Sequence, residues 1–166
     1  WAVAAVRGGE LDFEGISCDQ AGNFYLVSES HAAVLQVPLQ GEPNWLKIDP
    51  LMVGRARASG MLLRFNGLFE GLVINPAGDR LWLAAERERR GLVAIERRQS
   101  VWTCGRSCVL LSEAGVEMQP EQMPNASALS RDFADLAWFE GKLFTLERNA
   151  YRVCRRDADS GKVERC

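Results

Sequence analysis

Six acidic residues recur in step along the chain. Glu14, Glu70 and Asp135 each open a short apolar run, and Glu29, Glu86 and Glu147 each close the run that follows. Carboxylate oxygens are hard ligands, and a set of them held on rigid strand ends suits Ca2+, which takes six to eight oxygens. Without a cation such a gathering of like charge is costly, so a bound calcium ion is the natural counter-charge. A lone acid at a strand end is usually only solvated; recurrence in register is what gives these six their weight. A cation that merely ties neighbouring units together is the bland version of the same reading.

Basic groups stand beside the closing glutamates. Arg87 follows Glu86, Arg148 follows Glu147, and His31, the only histidine, lies two residues past Glu29. The planar guanidinium fork matches phosphate or carboxylate, so Arg87, Arg148 and His31 are the expected anion-binding residues. Glu70 and Glu86 are the expected catalytic carboxylates, and a metal-activated water is the nucleophile such a site would use. For the Arg87–Arg90 stretch the alternative is a solvated charge run. There is no G-x-S-x-G elbow, P-loop, H-E-x-x-H or dinucleotide glycine fingerprint, and a Ser-His-Asp triad would have to use His31 with nothing nearby to support it. Asn125-Ala126-Ser127 fits the glycosylation sequon, a pattern short enough to arise by chance.

The elements that must position these groups form an internal repeat. Asp12-Phe13-Glu14-Gly15-Ile16 and Leu68-Phe69-Glu70-Gly71-Leu72 are each followed, seven positions after the first glycine, by a second (Gly22, Gly78). A looser copy runs through Phe133-Ala134-Asp135-Leu136 to Gly141. Each copy reads as strand, glycine turn, strand: the turns are 19–23 and 75–79, the second strands Phe24–Ser28, Leu81–Ala85 and Leu143–Leu146. Third strands are expected at Ala33–Val37, Leu92–Ile95 and Tyr151–Cys154, and fourth strands at Leu46–Ile48, Val109–Leu111 and Lys162–Arg165. Helical periodicity is nearly absent; 112–119 and 125–132 have room for a turn or two, and 50–66 and 112–130 read as loops. Four short antiparallel strands repeated at about 55–65 residues are blades of a β-propeller. The expected units are 10–50, 66–111 and 131–166, within one all-β domain spanning 1–166. Propellers close with about four to eight blades. Three blades fall short of that range, so part of a larger propeller, taken as six-bladed and completed by missing residues or by a second chain, is the expectation, and a compact three-repeat β domain is the alternative.

Composition agrees with a folded domain. The 166 residues carry 20 Lys+Arg and 22 Asp+Glu, a formal net charge of −2, which argues against a nucleic-acid partner. No apolar run approaches the ~20 residues of a membrane span. The chain opens on Trp1, as expected if a leader has been removed or if it begins inside a longer protein. Five cysteines (Cys18, Cys104, Cys108, Cys154, Cys166) point to one or two disulfides of open pairing and to a periplasmic or secreted location. Zinc is the rival reading, weakened by the distance of His31 from the C-x3-C pair.

Phe13-Glu14-Gly15-Ile16 with Tyr25-Leu26-Val27-Ser28-Glu29 resembles the esterase-like phytase family. Phe69-Glu70-Gly71-Leu72 with Leu81-Trp82-Leu83-Ala84-Ala85-Glu86 is similar to that family's next unit, and Asp135-Leu136 with Gly141-Lys142-Leu143-Phe144-Thr145-Leu146-Glu147-Arg148 to its late strand. The resemblance implies an exported propeller related to calcium-dependent phytases, acting on a phosphate ester or another small-molecule ester. A non-catalytic propeller that binds a ligand or protein partner, with any calcium structural, is the alternative. A lactonase-type propeller would use a similar metal on a neutral ester and would not need the arginines.

Overall fold

A computed structural model describes residues 11–63, 67–86, 90–112 and 133–166. Arg87 and the segments expected to hold short helical turns, beyond Ser112, lie outside the described residues. Three antiparallel sheets follow one another along the chain. The first comprises β1 (Phe13–Cys18), β2 (Phe24–Ser28), β3 (Ala33–Val37) and β4 (Asn44–Trp45), in that order. The second comprises β5 (Phe69–Ile74), β6 (Arg80–Ala85), β7 (Gly91–Arg98), β8 (Val101–Thr103) and β9 (Val109–Ser112). The third comprises β10 (Asp135–Phe139), β11 (Lys142–Glu147), β12 (Arg152–Arg156) and β13 (Val163–Arg165). The first strands of successive sheets, β1, β5 and β10, lie side by side. Sequential up-and-down sheets whose first strands gather together are propeller blades.

The expected second and third strands are found within a residue or three of their places. Turns 19–23 and 75–79 form as expected, with Gly22 and Gly78 at φ 83° and 68°. The fourth strands expected at Val109–Leu111 and Lys162–Arg165 are found as β9 and β13, each within a residue, while that of the first blade is displaced and the second blade gains an additional strand, β8. In the second blade the outer position is shared, β8 pairing with Glu96–Arg98 and β9 with Gly91–Val93, the chain running on in the same direction past the short loop closed by the Cys104–Cys108 disulfide. In the first blade β4 ends at Trp45, and Ile48 instead bridges Trp102 of the next blade. Within the stretch expected to be loop lies a helix, α1 (Leu51–Ala58). The chain enters it through Pro50, and the preceding Asp49 carboxylate accepts the Leu51 N–H at 2.9 Å. It buries only Met52 and Ala56, one turn apart, so it leaves no apolar stripe to read.

Each junction between blades is a separate apolar layer. Tyr25, Val27 and Val34 of the first blade meet Leu72, Ile74, Leu81, Leu83 and Ile95 of the second. Val73, Trp82, Ala84 and Leu92, on the opposite face of that second blade, meet Phe133, Leu136 and Leu143 of the third. Alternation along a strand sends neighbours to opposite faces, so a blade buried on both sides reads as the unbroken apolar run Leu81–Ala85. The outward faces of the end blades expose Phe13, Ile16, Phe24 and Trp45 on one side and Phe139, Leu146 and Val153 on the other.

Gly15 and Gly71 serve close approach rather than turning. A Cβ on Gly71 would lie 2.8 Å from Asp135 Cα, and one on Gly15 would lie 3.0 Å from the Glu70 carbonyl oxygen. Gly71→Ala is therefore expected to push β5 from β10 and to lower stability by about 1–3 kcal/mol, the range for overpacking a tight junction. Urea unfolding checks this; an unchanged midpoint would mean that the blades separate freely.

The cysteines resolve into Cys104–Cys108 and Cys154–Cys166, with Cys18 exposed and unbridged. The C-x3-C pair is thus joined to itself and is not a zinc half-site.

Candidate functional site

The first two blades place their acids by the same device. Phe13 pairs with Ser28 and Gly15 with Val27, leaving Glu14 as the extra residue of a β-bulge. Phe69 pairs with Ala85 and Gly71 with Ala84, leaving Glu70 in the same position. A bulge re-aims the side chain it carries. Just past the end of each second strand, Glu29 N–H bonds to the Asp12 carbonyl at 2.9 Å and Glu86 N–H to the Leu68 carbonyl at 3.2 Å. Asp12 sits in left-handed backbone at φ 48°, which a short polar side chain tolerates better than most.

One oxygen from each of Asp12, Glu14 and Glu29 lies within 4.8 Å of the others. Glu29 is buried and also accepts the Leu68 N–H at 3.1 Å, reaching across to the second blade. Burial, then the Asp12 carboxyl, pushes the Glu14 carboxyl upward. Burial likewise raises Glu29, with the charges of Asp12, Glu86 and Glu14 adding to it. Glu70 is pushed up to about 8 by burial and by its hydrogen bond to Glu86. Arg148 Nη2 lies 3.2 Å from Glu86 Oε1 and 3.7 Å from Glu70 Oε2. Asp12, Glu14, Glu29, Glu70, Glu86 and Arg148 thus form one electrostatic neighbourhood across three blades, at the end of the inner strands where β1, β5 and β10 begin.

The third unit departs from the pattern. Its pairing begins at Asp135, opposite Leu146, with Leu136 opposite Thr145, and the Ala134 N–H bonds to the Leu146 carbonyl at 2.9 Å. On this register Asp135 holds the place of Gly15 and Gly71, and Ala134 the place of Glu14 and Glu70. Asp135 is exposed, accepts the Leu136 N–H at 2.7 Å, and is raised by desolvation of its carboxyl. It is not the third member of the bulge set. Two residues past Val27, Ala84 and Leu146, the partners of Gly15, Gly71 and Asp135, come Glu29, Glu86 and Arg148. Glu147 falls one short and points to the opposite face, as a one-residue slip requires.

There Glu147 is buried among arginines. Its Oε1 accepts Arg156 Nη2 at 2.8 Å, while its Oε2 accepts Arg152 Nη2 at 2.7 Å and lies 2.8 Å from Arg90 Nη1. Burial alone would raise this carboxyl, but hydrogen bonds from Arg90, Arg152 and Arg156 hold it below the usual range. Arg90 and Arg156 also lie over the Phe133 ring at 4.6 and 5.0 Å from its centroid. With both oxygens engaged, Glu147 is an inter-blade ion-pair centre rather than an available metal ligand.

His31 is engaged elsewhere too. Its Nδ1 lies 2.8 Å from Ser30 Oγ and 3.1 Å from Ser28 Oγ, and its ring stacks on Trp45 at 5.9 Å. A polar cleft lined by Arg80, Glu96, Arg98, Thr103 and Asp159 opens on the second blade, and none of the clustered acids lines it. Asp12 is the site residue that sequence reasoning passed over. Its signal was the Asp-Phe pair that opens both the first and third units, at 12–13 and 132–133.

Comparison with known proteins bears on this arrangement. No curated protein matches the chain. Among solved structures, a protein of unknown function from Bacteroides caccae shares 9% identity at a TM-score of 0.37, covering 92% of this chain and 59% of that one. A nidogen/laminin complex structure shares 13% identity at a TM-score of 0.29, covering 92% of this chain and 78% of the other. The chain thus spans less than two thirds of the Bacteroides protein's length, and the blade architecture rests on the strand order above rather than on either likeness. The family model described as phytase-like, "Esterase-like activity of phytase", matches residues 3–159, which takes in the first two blades and all but the last strand of the third. The chain belongs to that phytase-like family.

Proposed function

We propose that this chain is the cation-binding part of an exported, calcium-dependent β-propeller hydrolase of phosphate esters. The observation that supports it most is the convergence of Asp12, Glu14 and Glu29, whose oxygens lie within 4.8 Å of one another. An all-oxygen carboxylate set of this kind fits a hard divalent cation, and Asp12, Glu14 and Glu29 are the residues that would hold it. A calcium ion held there would supply Lewis acidity and lower the pKa of a bound water. The chain's own contribution is a proton and a positive charge. Glu70, raised to about 8, stays protonated at neutral pH and is suited to protonate a leaving alkoxide. Arg148, 53% exposed, presents donors to an incoming anion. Export is in keeping with two disulfides. The apolar outward faces of the first and third blades are where missing residues or a second chain would complete the ring.

Turnover of a phosphate monoester, with and without calcium, tests this reading. A group that works protonated loses activity as pH rises through its pKa, so the rate is expected to fall on the alkaline side near pH 8. Glu70→Gln is expected to lose at least about 100-fold, the usual worth of a general acid, and to lose that alkaline limb. A folded protein that binds calcium but turns over no phosphate or carboxylate ester would support the non-catalytic alternative.

A further inference from the structure

The third blade places a guanidinium where the first two blades place a carboxylate. Glu29 and Glu86 occupy equivalent positions, each two residues past the strand partner of the inner-strand glycine, and Arg148 occupies the third such position. From there Arg148 Nη2 reaches Glu86 at 3.2 Å and Glu70 at 3.7 Å, both carboxylates of the neighbouring blade. Glu86 is 1% exposed, so its charge is poorly served by solvent. We infer that Arg148 is a positioning residue and the built-in cation of the Glu70–Glu86 pair, confining a divalent ion to the Asp12–Glu14–Glu29 side of the site.

Charge and geometry carry this. Two carboxylates within hydrogen-bond reach of one another need a shared proton, and the one negative charge that the pair then still carries needs a positive partner. A guanidinium supplies one positive charge on a covalent tether and is never lost to dilution, whereas an ion must be bound from solution. Arg148 also acts on Glu14 at a distance, opposing the charges there. The Arg148 side chain is 53% exposed while it reaches both acids. The calcium arm of this inference rests on the proposed function; the charge-pairing arm does not.

The test is the number of ions bound by Arg148→Gln relative to wild type, measured by calorimetric titration of calcium alone into the chelator-treated protein. Removing the guanidinium is expected to open the Glu70–Glu86 side to a second ion, so the variant takes up one more calcium per chain than wild type. Arg148→Lys, which keeps a cation in place, is expected to show no such rise. In chelator, Arg148→Gln is expected to melt several degrees below wild type, and Glu86→Gln in the same chain to recover most of that loss. No additional ion in Arg148→Gln overturns the ion-confining role, whatever wild type binds. Independent, additive effects of Arg148→Gln and Glu86→Gln on melting overturn the pairing itself. Failure of wild type to bind calcium would count against the proposed function, while the melting cycle would still judge Arg148.

Discussion

Replacing Glu147 with alanine is expected to lower the stability of the fold by about 3–5 kcal/mol, the cost of removing one partner from a buried ion-pair network. For a chain of this size that amounts to a drop in Tm of about 10 °C. Arg90 and Arg156 are 4% and 3% exposed and both direct donors at this carboxylate, so its loss strands positive charge between the second and third blades. Glu147→Gln keeps shape and one acceptor and is expected to fall between the two. The pH dependence follows from the sign of the shift. The arginines depress the folded-state pKa of Glu147. Its stabilisation is therefore complete above the ordinary carboxylate value near 4.3 and disappears as pH falls through the folded value. Urea midpoints for wild type and Glu147→Ala between about pH 6 and pH 3 should accordingly converge as the solution becomes acidic. A constant gap across that range would mean that Glu147 acts through packing and not through charge.

The second large effect concerns calcium. Glu29→Gln is expected to leave the metal-free protein at least as stable as wild type at neutral pH. A Gln carbonyl still accepts the Leu68 N–H, and the repulsion from Asp12, Glu14 and Glu86 is relieved. The same change is expected to abolish the response to calcium. Wild type at a calcium concentration about 100 times Kd gains about 2.7 kcal/mol by mass action. At 2–4 °C per kcal/mol this is a rise in Tm of about 5–10 °C. Equal rises in wild type and Glu29→Gln would place the ion elsewhere.

The sequence shows the blades plainly and the site only in part, and the difference has physical causes. Strand and turn chemistry is local: Gly22 and Gly78 announce their turns, and period-two alternation marks β2, β6 and β11. The acids of the first two units were legible because the Phe-Glu-Gly spacing recurs intact. The third unit misleads by a single residue. Aligning Glu147 with Glu29 and Glu86 is natural by eye, yet the short turn at Glu140-Gly141 pairs Asp135 with Leu146 and not with Thr145. In that register Glu147 falls one position short and turns inward to arginines, and Arg148 takes the glutamate's place. Register is set by pairing between strands, which no short motif records. Asp12 was missed for a related reason: its importance lies in a left-handed backbone that brings it back to Glu29. Helix α1 was missed because Met52 and Ala56 alone face the core.

The most direct measurement is thermal unfolding of the wild-type protein in chelator and in millimolar calcium, at neutral pH. The expected result is a Tm several degrees higher with calcium, rising with concentration until saturation and returning to its starting value when chelator is added. An unchanged Tm at millimolar calcium would contradict cation binding by Asp12, Glu14 and Glu29, and would leave a phytase-family propeller whose acids are held without a bound cation.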